Sequence, residues 1–260
     1  MFLVTIIFFV YFYFLLESGV PLPKMFYYTI VPPLNQRSFY YAEAIIGASI
    51  MPTYIVLHSG LVYEKGWIHH HQKEIDVLLE KDNIAKERVD SIFSLLMGTV
   101  LNIAVIASAA ILIKGGIINS FSDIATPFFY KLGGFGLGLF SLAFAFAGIA
   151  AIMTVGLGSV YNTFGFLGIE ERMSKRGFRL AFVVFITIAG FASLLPNSIQ
   201  IMVLTQYLNG VLLPFVVVPL ILIARDEKVM GKNRLGKATT IPALATILLT
   251  TSLFIMSLLP

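Results

Sequence analysis

The sequence predicts an all-α polytopic membrane protein with about seven transmembrane helices. Three observations predict it: an extreme apolar composition, a series of apolar stretches long enough to cross a bilayer, and a lopsided division of lysine and arginine between loops. Hydrophobic residues make up 58% of the 260-residue chain and charged residues 12%, with a mean hydropathy of +0.88. A soluble domain of this size is closer to ~45–50% apolar and ~25% charged, so lipid is the solvent for most of this chain. The absence of cysteine excludes disulfides, thiolate-zinc sites and cysteine nucleophiles. A net charge of +4 does not by itself indicate an acidic partner, because a bilayer protein gathers its bases on one side for topological reasons.

A helix needs roughly 17–25 apolar residues to cross a hydrocarbon core of ~30 Å. Seven stretches qualify in one membrane domain covering 1–260: 1–16, 40–64, 91–113, 133–163, 178–196, 199–224 and 239–258. The first opens Met1-Phe2-Leu3-Val4 without a basic leader, which fits a span better than a secretory signal.

Of the 18 lysines and arginines, 14 lie in the three segments that follow spans two, four and six, from Lys65 to Arg88, Arg172 to Arg179 and Arg225 to Lys237. The positive-inside rule puts those segments in the cytoplasm. The expected topology therefore has a cytoplasmic N-terminus and an outside C-terminus, in the cell membrane. Segment 64–90 alternates acids and bases (Glu74, Asp76, Glu80, Lys81, Asp82, Lys86, Glu87, Arg88) and reads as a short solvated surface helix.

The most informative stretch lies in span two: Gly47-Ala48-Ser49-Ile50-Met51-Pro52-Thr53, with His58-Ser59 one to two turns on. Pro52 cannot donate a backbone hydrogen bond and clashes with the preceding turn, so the helix kinks or unwinds near Ala48. In hydrocarbon a freed carbonyl costs several kcal/mol unless something satisfies it, and a cavity holding an ion is one solution. Ordinary packing by neighbours is the other. His58, an ionisable group within a span, suggests either a proton path or a neutral histidine bonded to a neighbouring helix. Glu43 lies near the outer end of the span, where it can snorkel to the interface, and is a marginal proton-path candidate. Met97, Met153, Met202 and Met256 read as packing residues. The run His69-His70-His71 has no helical spacing or partner carboxylate and reads as solvated loop. Gly133 to Gly138 follows no strand, so it is not a dinucleotide loop; at the head of span four it suggests close helix packing. No enzyme motif occurs.

Gly47 to Pro52 with Leu57-His58-Ser59-Gly60-Leu61-Val62 resembles the sixth helix of the Nramp family of proton-coupled divalent-metal transporters. Arg88-Val89-Asp90-Ser91 with Asn102 is similar to the family's seventh helix and its approach. Gln206, Leu213-Pro214-Phe215, Pro219-Leu220 and Met230-Gly231 resemble the tenth helix and the loop after it. These matches keep the family order across 40–237. The resemblance implies the C-terminal part of the fold, roughly helices five to eleven: the second half of a LeuT-like inverted repeat with a broken helix at Ala48–Pro52, the first repeat being absent.

What the resemblance implies for chemistry is a metal site made by the Ala48 backbone carbonyl, the Met51 thioether and Gln206, with His58 tied to proton movement or gating. A thioether favours Mn²⁺ or Fe²⁺ over Mg²⁺ and Ca²⁺, which prefer all-oxygen shells. The metal is transported substrate, and no permanent cofactor is implied. Three departures stand out. Thr53 replaces a second histidine. Gly148-Ile149-Ala150-Ala151-Ile152-Met153-Thr154 replaces a polar Gly-Gln-Ser-Ser-Thr-like run. No Asp-Pro-Gly-Asn-like motif occurs, so the family's acidic ligand is missing. The expectation is a proton-linked Mn²⁺/Fe²⁺ transporter half, embedded in lipid, without nucleic-acid partners, completed by a separate first-half polypeptide that supplies the acid. The alternatives are a non-transporting regulatory subunit, a truncated relic, or a seven-span receptor.

Overall fold

A computed structural model describes residues 23, 27–28, 30–32, 35–64, 76–112, 118, 120–169, 173–231 and 234–259. All regular structure among them is helical. From Gln36 on, eight helices follow one another among the described residues: α1 Gln36–Ser49, α2 Pro52–Glu64, α3 Asp76–Leu112, α4 Phe121–Leu167, α5 Arg176–Ala192, α6 Ser198–Arg225, α7 Glu227–Met230 and α8 Lys237–Leu258. Among the described residues four stretches are both long and apolar enough to cross a membrane: Gln36–Leu61, Gly133–Leu167, Ser198–Arg225 and Lys237–Leu258. They overlie the expected spans 40–64, 133–163, 199–224 and 239–258. The expected span 91–113 lies in the second half of α3. The expected span 178–196 is α5, 17 residues long, followed by turns from Ser193 to Asn197. Span 1–16 and His69-His70-His71 lie outside the described residues.

The chain divides into two units, one built on Leu57–Ile188 and the other on Pro32–Val56 with Ala189–Pro260. In the first, aromatic rings fill the gaps left by glycines. A Cβ on Gly60 would stand 3.0 Å from the Tyr161 ring, and one on Gly156 would stand 2.8 Å from that of Phe182. Tyr161 in turn meets Phe178 edge-on at 5.0 Å. In the second unit α1, α6 and α8 pack against one another. Tyr207 of α6 joins all three: its ring stacks on Tyr40 at 4.6 Å and its hydroxyl lies 2.8 Å from the Ser257 hydroxyl.

Three expectations are corrected. The charged segment before span three is no separate surface helix. From Asp76 it is continuous with α3, a single helix of 37 residues, because no proline or glycine interrupts the chain before Gly98. The close packing expected of the glycines from Gly133 is not made by Gly133, Gly134 or Gly138, where a Cβ would meet nothing within 4 Å among the described residues, whereas Gly136 is buried. Instead Gly133 takes φ 62°, ψ −152° and kinks α4, a backbone conformation open essentially to glycine alone. The four methionines read as packing residues are exposed on the helix surfaces, where in a bilayer they meet lipid or a neighbour rather than a core.

Candidate metal site at the helix break

The break in the second helix stretch is produced by one covalent fact. In a continuous helix the Ala48 carbonyl would accept from the N–H of residue 52, and Pro52 has none. The helix runs slightly further than expected: α1 ends at Ser49, and Ile50 leaves helical geometry at φ −127°, ψ 76° while still donating to the Ile46 carbonyl at 2.8 Å. Pro52 then opens α2, the first helical position that proline tolerates best, and Tyr54 donates to the Met51 carbonyl at 2.9 Å. Ile50 and Met51 thus form a two-residue interruption within an otherwise apolar 26-residue stretch.

The interruption puts two helix ends face to face. The last carbonyls of α1 form the negative end of its dipole, equivalent to about half an elementary charge, and such ends in broken membrane helices suit cations. Ala48 is exposed and Met51 half-buried. A carbonyl oxygen and a thioether are therefore within reach of the same break.

Gln206 is held beside this end by a backbone contact. A Cβ on Gly47 would collide with the Gln206 carbonyl oxygen and lie 2.5 Å from the Gly210 nitrogen. A Cβ on Gly210 would lie 2.6 Å from the Glu43 carbonyl oxygen and 2.7 Å from Glu43 Oε1. Gly47 and Gly210 therefore bring α1 and α6 together backbone to backbone, as small residues do between membrane helices. Sequence reasoning gave neither glycine this role, although a small residue within a span was the available signal. The Gln206 side chain is half-buried, and its Oε1 accepts from Asn209 Nδ2 at 3.2 Å.

Glu43 departs from expectation most sharply. It does not snorkel to an interface: it is 0% exposed, one turn before Gly47 and pressed against Gly210. His58 is on α2 with its side chain 52% exposed, and its Nε2 stands 2.5 Å from Oε1 of Glu87 on α3. The partner is a carboxylate on a neighbouring helix, an arrangement that fits either reading of His58. Ala48, Met51, Gln206 and Glu43 belong to the second unit, His58 and Glu87 to the first. No cluster of three or more His, Asp or Glu suited to a metal occurs among the described residues, so this break offers a carbonyl, a thioether and an amide in place of a carboxylate cage.

The whole chain, residues 1–260, matches the family model described as natural resistance-associated macrophage protein-like, Nramp. The chain belongs to the Nramp family. It is 26% identical over 210 residues to the divalent metal cation transporter MntH of Caldanaerobacter subterraneus subsp. tengcongensis, covering 80% of this chain and 48% of that protein. It is 27% identical over 223 residues to the MntH of Mesorhizobium japonicum, with 82% and 47% covered. The natural resistance-associated macrophage protein 2 homolog of Dictyostelium discoideum is 26% identical over 223 residues, with 83% and 35% covered. This Nramp chain thus spans about half the length or less of these relatives. None of them carries an enzyme's name, and the all-helical architecture with several membrane-length helices is that of a polytopic membrane protein.

Proposed function

We propose that this chain forms the C-terminal half of a divalent metal cation transporter, moving Mn²⁺ or Fe²⁺ across the cell membrane in a proton-linked cycle. The observation that carries the reading is the interruption at Ile50–Met51, with Gln206 held beside it by the Gly47–Gly210 contact. The relatives named as divalent metal cation transporters support it. In this reading the Ala48 carbonyl, Met51 and Gln206 ligate the ion, Pro52 keeps the carbonyl free, and His58 serves the proton path, with Glu43 only a marginal candidate for it. The thioether biases the site toward softer transition metals over Mg²⁺. The chain crosses the membrane seven times with its N-terminus in the cytoplasm. The other half of the fold comes from a first-half polypeptide, separate or joined to this chain.

Uptake into proteoliposomes tests this. Mn²⁺ should enter vesicles holding the chain together with a first half carrying the Asp-Pro-Gly-Asn-like motif. Met51→Ala should cut that uptake by tenfold or more while leaving helical content unchanged. Uptake indifferent to Met51 would remove the proposed site.

A further inference from the structure

Three polar or charged side chains are buried among the described residues: Glu43, Thr240 and Thr250. The threonines satisfy themselves within α8. Thr240 Oγ1 donates to the Gly236 carbonyl at 2.9 Å, and Thr250 Oγ1 reaches the Thr246 carbonyl at 3.0 Å. Glu43 has no such local route, and neither of its carboxyl oxygens has a hydrogen-bond partner among the described residues. No base compensates it within the three packed helices either. Their lysines and arginines sit at the ends: Arg37 at the start of α1, Arg225 at the end of α6 and Lys237 at the start of α8. Glu43 is also the sole acid in the interior of any of the seven apolar stretches, Glu64 closing the second.

An isolated carboxyl group in apolar surroundings is costly unless a cation balances it. The cation that this position implies is the one at the break. Glu43 and Ala48 are five residues apart on one helix, roughly 7–8 Å along the axis, and a charge at that distance acts strongly in a poorly screened interior. We infer that Glu43 is the charge-balancing carboxylate of the divalent cation held at the Ile50–Met51 break, supplied by this half of the fold and acting through space. Direct ligation is not its role, since both oxygens are buried and Oε1 lies against Gly210. The inference rests on the break being a metal site, and it makes Glu43 a positioning residue for charge, whereas Met51 sets softness.

These roles separate by experiment. The full 260-residue chain is placed in lipid nanodiscs and titrated calorimetrically with Mn²⁺ and with Cd²⁺. Glu43→Gln should weaken both ions by about 10–100-fold, the range typical of supporting groups at metal sites, with the Mn²⁺/Cd²⁺ ratio unchanged. Met51→Ala should change that ratio. Glu43→Asp, which keeps the charge, should stay within a few-fold of the natural chain. A Glu43→Gln chain that folds and binds Mn²⁺ within twofold, beside a Met51→Ala chain that does not, overturns the role of Glu43 and leaves the metal site standing. If Glu43→Gln loses its helical signal, Glu43→Asp decides: retained binding supports the inference, and a tenfold loss in a folded chain overturns it. No binding by the natural chain alone also overturns it, because the balancing charge is claimed for this half, and Met51-dependent uptake then remains the independent check on the transporter reading.

Discussion

Replacing Gly47 with alanine tests the geometry of the break most directly. The added Cβ would overlap the Gln206 carbonyl oxygen and lie 2.5 Å from the Gly210 nitrogen, where ordinary contact needs about 3.5 Å. Both atoms are backbone, so no side chain can swing aside, and α1 and α6 must separate by about 1 Å. Overpacking of this kind costs ~1–3 kcal/mol, and backbone opposition puts it at the upper end. Higher helix propensity returns up to ~1 kcal/mol, leaving a net loss of about 2 kcal/mol. The effect on binding is larger than that figure suggests, because metal–ligand distances tolerate only about ±0.2 Å. In the proposed site, moving Gln206 by about 1 Å from Ala48 and Met51 removes one ligand, and Mn²⁺ should bind about 10–100-fold more weakly, or ~1.4–2.8 kcal/mol. Thermal unfolding and calorimetric titration in nanodiscs read the two effects. Gly98→Ala is the control, since a Cβ there meets nothing within 4 Å among the described residues. If Gly47→Ala melts with the natural chain and binds Mn²⁺ within twofold, the close crossing of α1 and α6 does not set the site.

Two further predictions concern the scaffold. Tyr207→Phe removes the hydroxyl that meets Ser257 at 2.8 Å but keeps the ring stacked on Tyr40; it should cost about 1 kcal/mol in thermal unfolding, and Tyr207→Ala clearly more. Gly133→Ala and Gly134→Ala should act in opposite directions in the same melt. Neither added Cβ meets a neighbour within 4 Å among the described residues, but Gly133 sits at φ 62°, where a side chain costs ~1–3 kcal/mol, whereas alanine at the helical Gly134 gains up to ~1 kcal/mol.

What was legible in the sequence depended on whether the cause was local. The break was readable because Pro52 lacks its N–H whatever surrounds it, and the structure moved the interruption only from Ala48 to Ile50–Met51. The continuity of α3 was equally local, since Asp76 to Met97 contains no proline or glycine, but charge alternation drew attention to solvent and away from helix continuity. The Gly47–Gly210 crossing could not be read, because it pairs positions on two helices distant in sequence. Glu43 was misplaced for a related reason. A carboxylate near the end of an apolar stretch snorkels or buries according to which way the helix turns, and only the packing of α1 on α6 sets that phase. At Gly133 the residue was noticed and its use misread, because glycine serves close packing and positive φ equally well.

The charge around the break decides how much of a working site this half can be. A divalent ion brings two positive charges, and neither a carbonyl nor a thioether removes one. The C-terminal end of α1 contributes the equivalent of about half a negative charge, and the N-terminal end of α2 facing it about half a positive one, so the two cancel. Glu43, in the role inferred for it, contributes one negative charge from roughly 7–8 Å. About one positive charge then remains uncompensated in a region of low dielectric, where it still weakens binding appreciably. One further carboxylate, of the kind in an Asp-Pro-Gly-Asn-like motif, covers that remainder. The half-site should therefore hold its ion weakly alone and tightly only when the rest of the fold closes over Met51. A transporter gains from that division, since an ion balanced entirely by one half would have no electrostatic reason to leave when the halves part.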